Sequence, residues 1–226
     1  MTARDTIFAS IRASLGVTGN EAPRRKEVAD RIAGHPAGVV PARGHLPPQQ
    51  RLDLFARMLE GAAGTFAQVP SLEEVPGAVC AFLRRHNLPL AVRRGGDAVL
   101  EQVPWTREPA LELSVGPSDG TQLTSVSHAF GAIAETGTLV MTAGPENPTT
   151  LNFLPDNHIV VVEAKDIDGD LETAIARLRA RYGAGELPRA VNMITGPSRS
   201  ADIEQTLILG AHGPRRLHVV VVGDPA

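Results

Sequence analysis

The stretch Ile159-Val160-Val161-Val162-Glu163 decides the fold class of this chain, together with a second aliphatic stretch at residues 217–222. Strands that are buried on both faces carry continuous aliphatic runs, whereas strands with one solvated face alternate apolar and polar residues. Between the two stretches lies Leu171–Tyr182, whose apolar residues recur at the spacing of an amphipathic helix. Buried strands separated by helices predict an α/β fold, in which helices flank a layered and largely parallel sheet.

Shorter periodic segments extend this pattern toward the N-terminus. Apolar residues at helical spacing predict helices over residues 3–15, 49–61 and 71–86. Ser71 and Glu74 have the spacing of a capping box at the start of the third helix. Runs of aliphatic and β-branched residues predict strands at residues 65–69, 90–92, 111–115, 132–134, 138–142 and 190–195.

Residues 16–48 differ from the rest of the chain, because glycine, proline and charged residues dominate this segment. Such a composition disfavours regular core elements and predicts an extended connector. We therefore expect residues 1–48 to form an N-terminal helix with a proline-rich extended arm, and residues 49–226 to form the α/β domain. The first helix then has two alternative positions, on a neighbouring subunit of a homo-oligomer or against the edge of its own domain.

The composition is that of an ordinary globular protein: 42% of residues are hydrophobic, and 22 basic residues stand against 25 acidic ones. The resulting net charge of -3 provides no basic surface for nucleic acid or anionic lipid. No aliphatic run approaches the ~20 residues that a membrane-spanning helix needs, and the N-terminus lacks the apolar core of a signal peptide. These features predict a soluble, cytoplasmic protein.

The single cysteine, Cys80, excludes several cofactor classes from this chain. One thiol cannot form an intramolecular disulfide, and alone it cannot hold zinc or an iron–sulfur cluster. Its apolar neighbours Val79 and Phe82 predict a buried and unreactive thiol. No pair of histidines has the spacing of a zinc site, so neither a metal nor another cofactor is expected.

The block Ala134-Glu135-Thr136-Gly137-Thr138 sets a carboxylate and two hydroxyls beside an apolar β-type run. A carboxylate among small and apolar residues has an unusual environment that often marks a functional site. Glu135 is therefore a catalytic candidate, as an acid or a base, and Thr136 and Thr138 are substrate-binding candidates. The alternative is a purely structural carboxylate that is hydrogen-bonded to neighbouring amides and threonines.

A second polar block follows the predicted strand that ends at Thr195. Gly196-Pro197 breaks the strand, and Ser198-Arg199-Ser200 then places two hydroxyls and a guanidinium in one turn. Such a turn can cradle a phosphate or a carboxylate, so Ser198, Arg199 and Ser200 are substrate-binding candidates. The alternative is a serine that caps a helix beside a solvated arginine.

Two further candidates lie downstream of this turn. Asp202 is a substrate-binding candidate. On an extended segment it shares a face with Glu204, and paired carboxylates can bind a cation or act as general acid and base, whereas on a helix Asp202 is a first-turn residue that the dipole stabilises. His212, between Gly210 and Gly213, is the second catalytic candidate, with a backbone-bonded turn histidine as the alternative. His158 immediately precedes a predicted buried strand, and His128 lies shortly before the block that contains Glu135.

One short motif has two possible interpretations, a catalytic nucleophile or an ordinary turn. Gly116-Pro117-Ser118-Asp119-Gly120 has the GxSxG spacing of the nucleophile elbow in α/β-hydrolases. The elbow requires a helix directly after the serine, and the sequence that follows has no helical pattern. Pro, Ser, Asp and Gly are the residues of ordinary turns, so we predict a turn here.

Five motifs, in this order along the chain, resemble the LUD-domain family typified by lactate utilization protein C. Position 200 is serine where the family pattern leads us to expect threonine, and the hydroxyl is retained. The resemblance covers roughly residues 50–222 and is strongest from residue 130 onward. The motifs are Ala134-Glu135-Thr136-Gly137-Thr138, Leu154-Pro155-Asp156-Asn157-His158, Gly196-Pro197-Ser198, Ala201-Asp202-Ile203-Glu204 and Gly210-Ala211-His212-Gly213-Pro214.

The resemblance implies a fold similar to the sugar-phosphate isomerase and CoA-transferase group. It also implies a role in the oxidation of L-lactate to pyruvate, beside two iron–sulfur partner proteins. The chain is then expected to be a non-cluster or accessory subunit with an anion-binding pocket. Two alternatives stay open: a free-standing enzyme for a small phosphorylated or acyl substrate, and a sensor of small carboxylates.

Overall fold

The computed structural model describes residues 2–183, 185–201 and 207–225. The chain divides into two compact units, residues 1–39 and residues 40–226. Among the described helices, none is long and apolar enough to cross a membrane. The α-helices are α1 (Ala3–Leu15), α2 (Ala22–Gly34), α3 (Pro48–Gly61), α4 (Val75–Arg85), α5 (Ala98–Gln102), α6 (Thr149–Phe153) and α7 (Leu171–Tyr182).

The strands fall into three hydrogen-bonded groups. In chain order they are β1 (Thr65–Val69), β2 (Ala91–Arg94), β3 (Glu112–Val115), β4 (Thr124–His128), β5 (Gly131–Ile133), β6 (Thr138–Thr142), β7 (Asn157–Glu163), β8 (Ile167–Asp168), β9 (Val191–Ile194), β10 (Arg199–Ala201), β11 (Leu207–Leu209) and β12 (Arg216–Val222).

The first unit, residues 1–39, contains α1 and α2, and neither helix buries a residue. Helix α1 begins with a capping box between Thr2 and Asp5. Helix α2 corrects the prediction of an extended arm over residues 16–48. A proline in the first turn of a helix costs no hydrogen bond, so Pro23 is compatible with helix entry. The ion pair between Lys26 and Asp30, 2.7 Å apart and one turn away from each other, supports the same helix.

The main sheet of the second unit has six strands in the order β1-β12-β7-β4-β2-β3, and every neighbouring pair is parallel. This arrangement confirms the predicted α/β fold. The two aliphatic stretches form the neighbouring strands β7 and β12, in which Val160 lies beside Val219. Both strands are buried along nearly their whole length because each has a strand on both sides and packed layers on both faces.

Alternate residues of these strands enter two different cores, as the two-residue period of a strand requires. Val160 and Val219 pack with Phe55 and Leu59 of α3 on one face of the sheet. Val161 and Val220 pack with residues of α4 on the other face. The sheet is therefore covered on both faces, which explains why its central strands lack polar alternation.

Four strands form a second sheet, in the order β8-β5-β6-β9. The sequence patterns did not separate these strands from those of the main sheet. In the second sheet the pairs β5–β6 and β6–β9 are antiparallel, and only β5–β8 is parallel. Strand β9 was predicted to be buried, but its residues are half-buried or exposed because it lies at the edge of this sheet. The block that contains Glu135 connects β5 to β6 and belongs to this second sheet.

The path of the chain through the main sheet creates a crevice between β2 and β4. From β2 the chain continues to β3 on one side, whereas from β4 it continues to β7 on the other side. Neighbouring strands whose connections leave in opposite directions form a topological switch point. In open α/β sheets this is where the carboxyl ends of the strands leave room for a ligand.

Candidate functional site

Glu135 is buried, with 6% of its surface exposed, and its carboxylate has protein partners. One oxygen accepts a hydrogen bond of 3.1 Å from the amide of Leu171, the first residue of α7. The other lies 3.8 Å from Nε of Arg43. An anion at the first turn of a helix is favoured by the free amides and the helix dipole. Both partners are distant in the sequence rather than neighbouring amides or threonines, and Glu135 is not among the residues that line the cavity formed with the second polar block.

Thr136 and Thr138 connect the two blocks through a chain of hydroxyl groups. Their Oγ1 atoms lie 2.7 Å apart, and Thr138 Oγ1 lies 2.6 Å from Thr195 Oγ1. Strand β6 carries Thr138 beside β9, after which Thr195 follows. The threonines of the first block therefore hold the second block in position.

The second block lines a cavity of about 290 Å³ near the amino ends of β7 and β12, which we call the amino-edge cavity. Two of its residues, Asn152 and His158, are almost completely buried, whereas Arg199 and His212 are exposed at its rim. Its volume suits a small metabolite better than a nucleotide cofactor. The polar residues that line it are Asn152, His158, Thr195, Ser198, Arg199 and His212.

Backbone hydrogen bonds hold the two rim segments together. The amide of Ser198 donates to the carbonyl of Pro214 at 2.8 Å, and the amide of Gly210 donates to the carbonyl of Ser198 at 3.0 Å. These bonds place Ser198 and His212 around the same cavity. Ser200 lies on β10 opposite Ile208, outside the cavity lining. The predicted substrate-binding residue Asp202 lies outside the described residues.

The buried end of the amino-edge cavity contains a hydrogen-bonded trio that the sequence patterns did not identify. The Ser127 hydroxyl donates to Oδ1 of Asn152 at 3.3 Å, and Nε2 of His158 lies 3.0 Å from the same hydroxyl oxygen. Since Ser127 uses its only hydrogen toward Asn152, His158 must donate through Nε2. Complete burial lowers the pKa of His158 to about 3, so its ring is neutral and Nδ1 carries a lone pair.

Two atoms of this trio lack partners among the described residues: Nδ1 of His158 and Nδ2 of Asn152. The first is an acceptor and the second is a donor. Buried polar atoms are nearly always hydrogen-bonded in folded proteins, and those without protein partners take water or a ligand. The two residues that carry these atoms, His158 and Asn152, both line the amino-edge cavity, and Arg199 and His212 are exposed at its rim.

No pattern in the sequence marked this trio. Ser125 and Ser127 belong to β4, which is mostly polar, and Asn152 belongs to α6; all three are buried, and a buried polar residue needs a partner. The Ser125 hydroxyl has one, the carbonyl of Leu151 at 2.6 Å. His158 was noted at the start of a buried strand but was not assigned to a site.

Other candidates have structural roles in the described residues. The hydroxyl of Ser118 donates to Gln122 at 2.8 Å, and no helix follows it, which confirms the turn rather than a nucleophile elbow. Cys80 is a free, buried thiol, as predicted, and burial raises its pKa. His128 lies at the opposite edge of the sheet, at the carboxyl end of β4.

Three comparisons relate the chain to known proteins. The chain is 37% identical over 109 residues to the lactate utilization protein C of Geobacillus thermodenitrificans, a match that covers 47% of this chain and 45% of that protein. It is 36% identical over 121 residues to the protein of the same name from an Exiguobacterium species, covering 53% of this chain and 48% of that protein. The chain thus matches about half the length of these curated relatives.

A solved structure and a family model complete the comparison. The crystal structure of a DUF162 family protein from Deinococcus radiodurans has a TM-score of 0.59 and 22% sequence identity, covering 79% of this chain and 99% of that one. That likeness concerns the fold alone. The family model of the LUD domain matches residues 81–222, more than half of the chain and the part that contains the amino-edge cavity. The chain belongs to the LUD domain family.

Proposed function

We propose that this protein serves lactate utilization as a subunit without an iron–sulfur cluster, and that it binds a small α-hydroxy carboxylate such as L-lactate in the amino-edge cavity. The observation that carries the proposal is that two buried residues lining this cavity, His158 and Asn152, each have a side-chain atom, Nδ1 and Nδ2 respectively, without a partner among the described residues. Relatives named lactate utilization protein C support the biological setting.

An α-hydroxy carboxylate has the complementary groups. Its hydroxyl can donate to Nδ1 of His158, and a carboxylate oxygen can accept from Nδ2 of Asn152. Arg199 at the rim adds a positive charge for the carboxylate, and a hydrogen bond to a charged group is about twice as strong as a neutral one. In this proposal Ser198 and His212 complete the rim.

The oxidation of a hydroxy acid needs an electron acceptor, and the proposal assigns that role to iron–sulfur partner proteins. The sequence has one cysteine, which cannot hold a cluster by itself. In this division of labour the chain binds and positions the hydroxy acid, and the partners carry the electrons. Glu135 then stabilises α7 rather than acting as an acid or base.

Binding of L-lactate tests the pocket. We expect Asn152→Leu to weaken binding at least about tenfold, because one buried hydrogen bond to a charged group is lost. Arg199→Gln should have an effect of similar size, whereas Arg189→Gln, an exposed arginine away from the cavity lining, serves as the matched control. Calorimetric titration measures the affinities. Equal affinities of all three variants and the unaltered protein would rule out the amino-edge cavity as the lactate site.

Assembly is tested separately, with the full chain as bait for iron–sulfur proteins from cells grown on lactate. We expect two cluster-bearing proteins to be recovered, and we expect deletion of the gene to abolish growth on lactate. Recovery of no cluster-bearing protein, with normal growth after deletion, contradicts the proposed subunit role. That outcome does not decide whether the amino-edge cavity binds L-lactate, because the calorimetric titration tests this separately.

A further inference from the structure

A second cavity, of about 380 Å³, lies at the carboxyl ends of β2 and β4, and we call it the carboxyl-edge cavity. These are the two strands that flank the topological switch point of the main sheet. Asp97, just after β2, and His128, the last residue of β4, both line it. The position of this cavity is the one at which open α/β sheets most commonly bind ligands.

Asp97 and His128 form a hydrogen-bonded pair, with 3.2 Å between Oδ1 of Asp97 and Nδ1 of His128. The same carboxylate oxygen accepts from the amides of Val99 and Leu100, at 2.9 and 3.4 Å. Burial raises the pKa of Asp97, but His128 and these amides outweigh it and hold the pKa below its usual value. An ionised Asp97 can only accept, so Nδ1 of His128 carries the hydrogen.

This tautomer leaves Nε2 of a neutral His128 with a lone pair. That atom is buried and has no hydrogen-bond partner among the described residues. No group of three or more metal-ligating side chains occurs in the described part of the chain. The lone pair is therefore suited to a proton donor on a ligand, and Asp97 stabilises the charge that a transferred proton would create.

The C-terminal half of α7 also lines the cavity. Arg177 is neutralised there by ion pairs of 2.5 Å with Asp166 and 2.8 Å with Asp168. Arg181 also lines the cavity, is exposed, and has no charged partner among the described residues. Glu146 is the remaining charged group of the lining and lies on the loop that follows β6.

We propose that the carboxyl-edge cavity is a second small-molecule site, in which Nε2 of His128 accepts a hydrogen bond from the hydroxyl of a hydroxylated anion and Arg181 pairs with the carboxylate or phosphate of that anion. Asp97 is a positioning residue, which fixes the tautomer and the ring orientation of His128. The site differs from the amino-edge cavity in its edge of the sheet and in every lining residue, and it does not depend on the proposed role in lactate utilization.

Titration of the full chain, with its histidines labelled in nitrogen-15, tests this site. The probes are glycerol 3-phosphate and glycerate, which carry the same hydroxyl pattern with a phosphate and a carboxylate. We expect at least one probe at millimolar concentration to shift the Nε2 resonance of His128. We also expect Arg181→Gln to weaken that response at least about tenfold, because one charge-assisted interaction is lost. Arg179→Gln, on the same helix but outside the lining, is the matched control.

The two probes identify the anion, since a response to only one of them selects phosphate or carboxylate. Asp97→Asn is expected to shift the resting nitrogen resonances of His128, because the ring loses the acceptor that fixes its tautomer. The proposal is overturned if neither probe moves the His128 resonances, or if Arg181→Gln binds as tightly as Arg179→Gln. Arg181 is exposed, so its replacement leaves the folded core intact.

Discussion

Gly137→Ala is expected to lower the free energy of unfolding by about 3 kcal/mol or more. The φ angle of Gly137 is 67°, a left-handed conformation that costs other residues free energy. A Cβ atom at this position would lie 2.5 Å from the amide nitrogen of Leu59 and 2.7 Å from the carbonyl carbon of Met58. Both are backbone atoms of α3, which cannot move aside as a flexible side chain could.

Gly61→Ala is the matched control, because Gly61 lies in the last turn of the same helix and a Cβ there meets no atom within 4 Å. Urea unfolding of the two variants measures the difference. If the first block packs on α3 as described, Gly137→Ala is far less stable than Gly61→Ala. Two variants of equal stability would show that the block does not pack on α3 as described.

The second large effect is a loss of stability in acid that originates at His158. Its pKa is lowered from 6.5 to about 3 by burial, so the unfolded chain binds a proton at a pH where the folded protein does not. The stabilising contribution is complete above pH 6.5 and is lost as the pH falls from 6.5 toward 3. Over the first two pH units of that window we expect a loss of roughly 2 to 3 kcal/mol from this residue.

His158→Gln isolates this contribution, because glutamine can still donate to Ser127 but does not titrate. His218, whose pKa is lowered to about 4 by burial with help from His86 and Arg85, adds a second contribution that the variant retains. We therefore expect the stability of the variant to fall roughly half as steeply below pH 6.5. Urea unfolding across this pH range measures it, and identical pH profiles would show that His158 is not a buried neutral base.

The sequence predicted the parts of the fold that have a strong period. Helix α7 and strand β1 have the predicted limits, because Leu171–Tyr182 has a full apolar stripe and Thr65–Val69 lies between glycine and proline signals. Three strands of the second sheet, β5, β6 and β9, were predicted near their observed positions but were not assigned to a separate sheet, whereas β8 was missed because its two residues are too few to show a period. Helix α2 was missed because proline, glycine and charged residues dominate the segment around it, although ion pairs one turn apart support the helix.

The sequence predicted the residues at the rim of the amino-edge cavity, but it did not predict those at the buried end. Ser198, Arg199 and His212 stood out because glycine and proline interrupt a strand beside them. Asn152 and Ser127 did not, since partners 25 residues apart in the chain are brought together only by the packing of α6 on β4. Glu135 was a catalytic candidate because of its apolar neighbours, and its contacts with Leu171 and Arg43, which are 36 or more residues away, were not predictable from the sequence. The apolar neighbours of Glu135 indicated that its side chain is buried, but they did not indicate which residues it contacts.

The most direct test of the account is a crystal structure of this protein with L-lactate. The predicted result is L-lactate in the amino-edge cavity, with its hydroxyl within hydrogen-bond distance of Nδ1 of His158 and a carboxylate oxygen beside Nδ2 of Asn152. Water molecules on both atoms, with L-lactate absent from the cavity at a saturating concentration, would contradict the account.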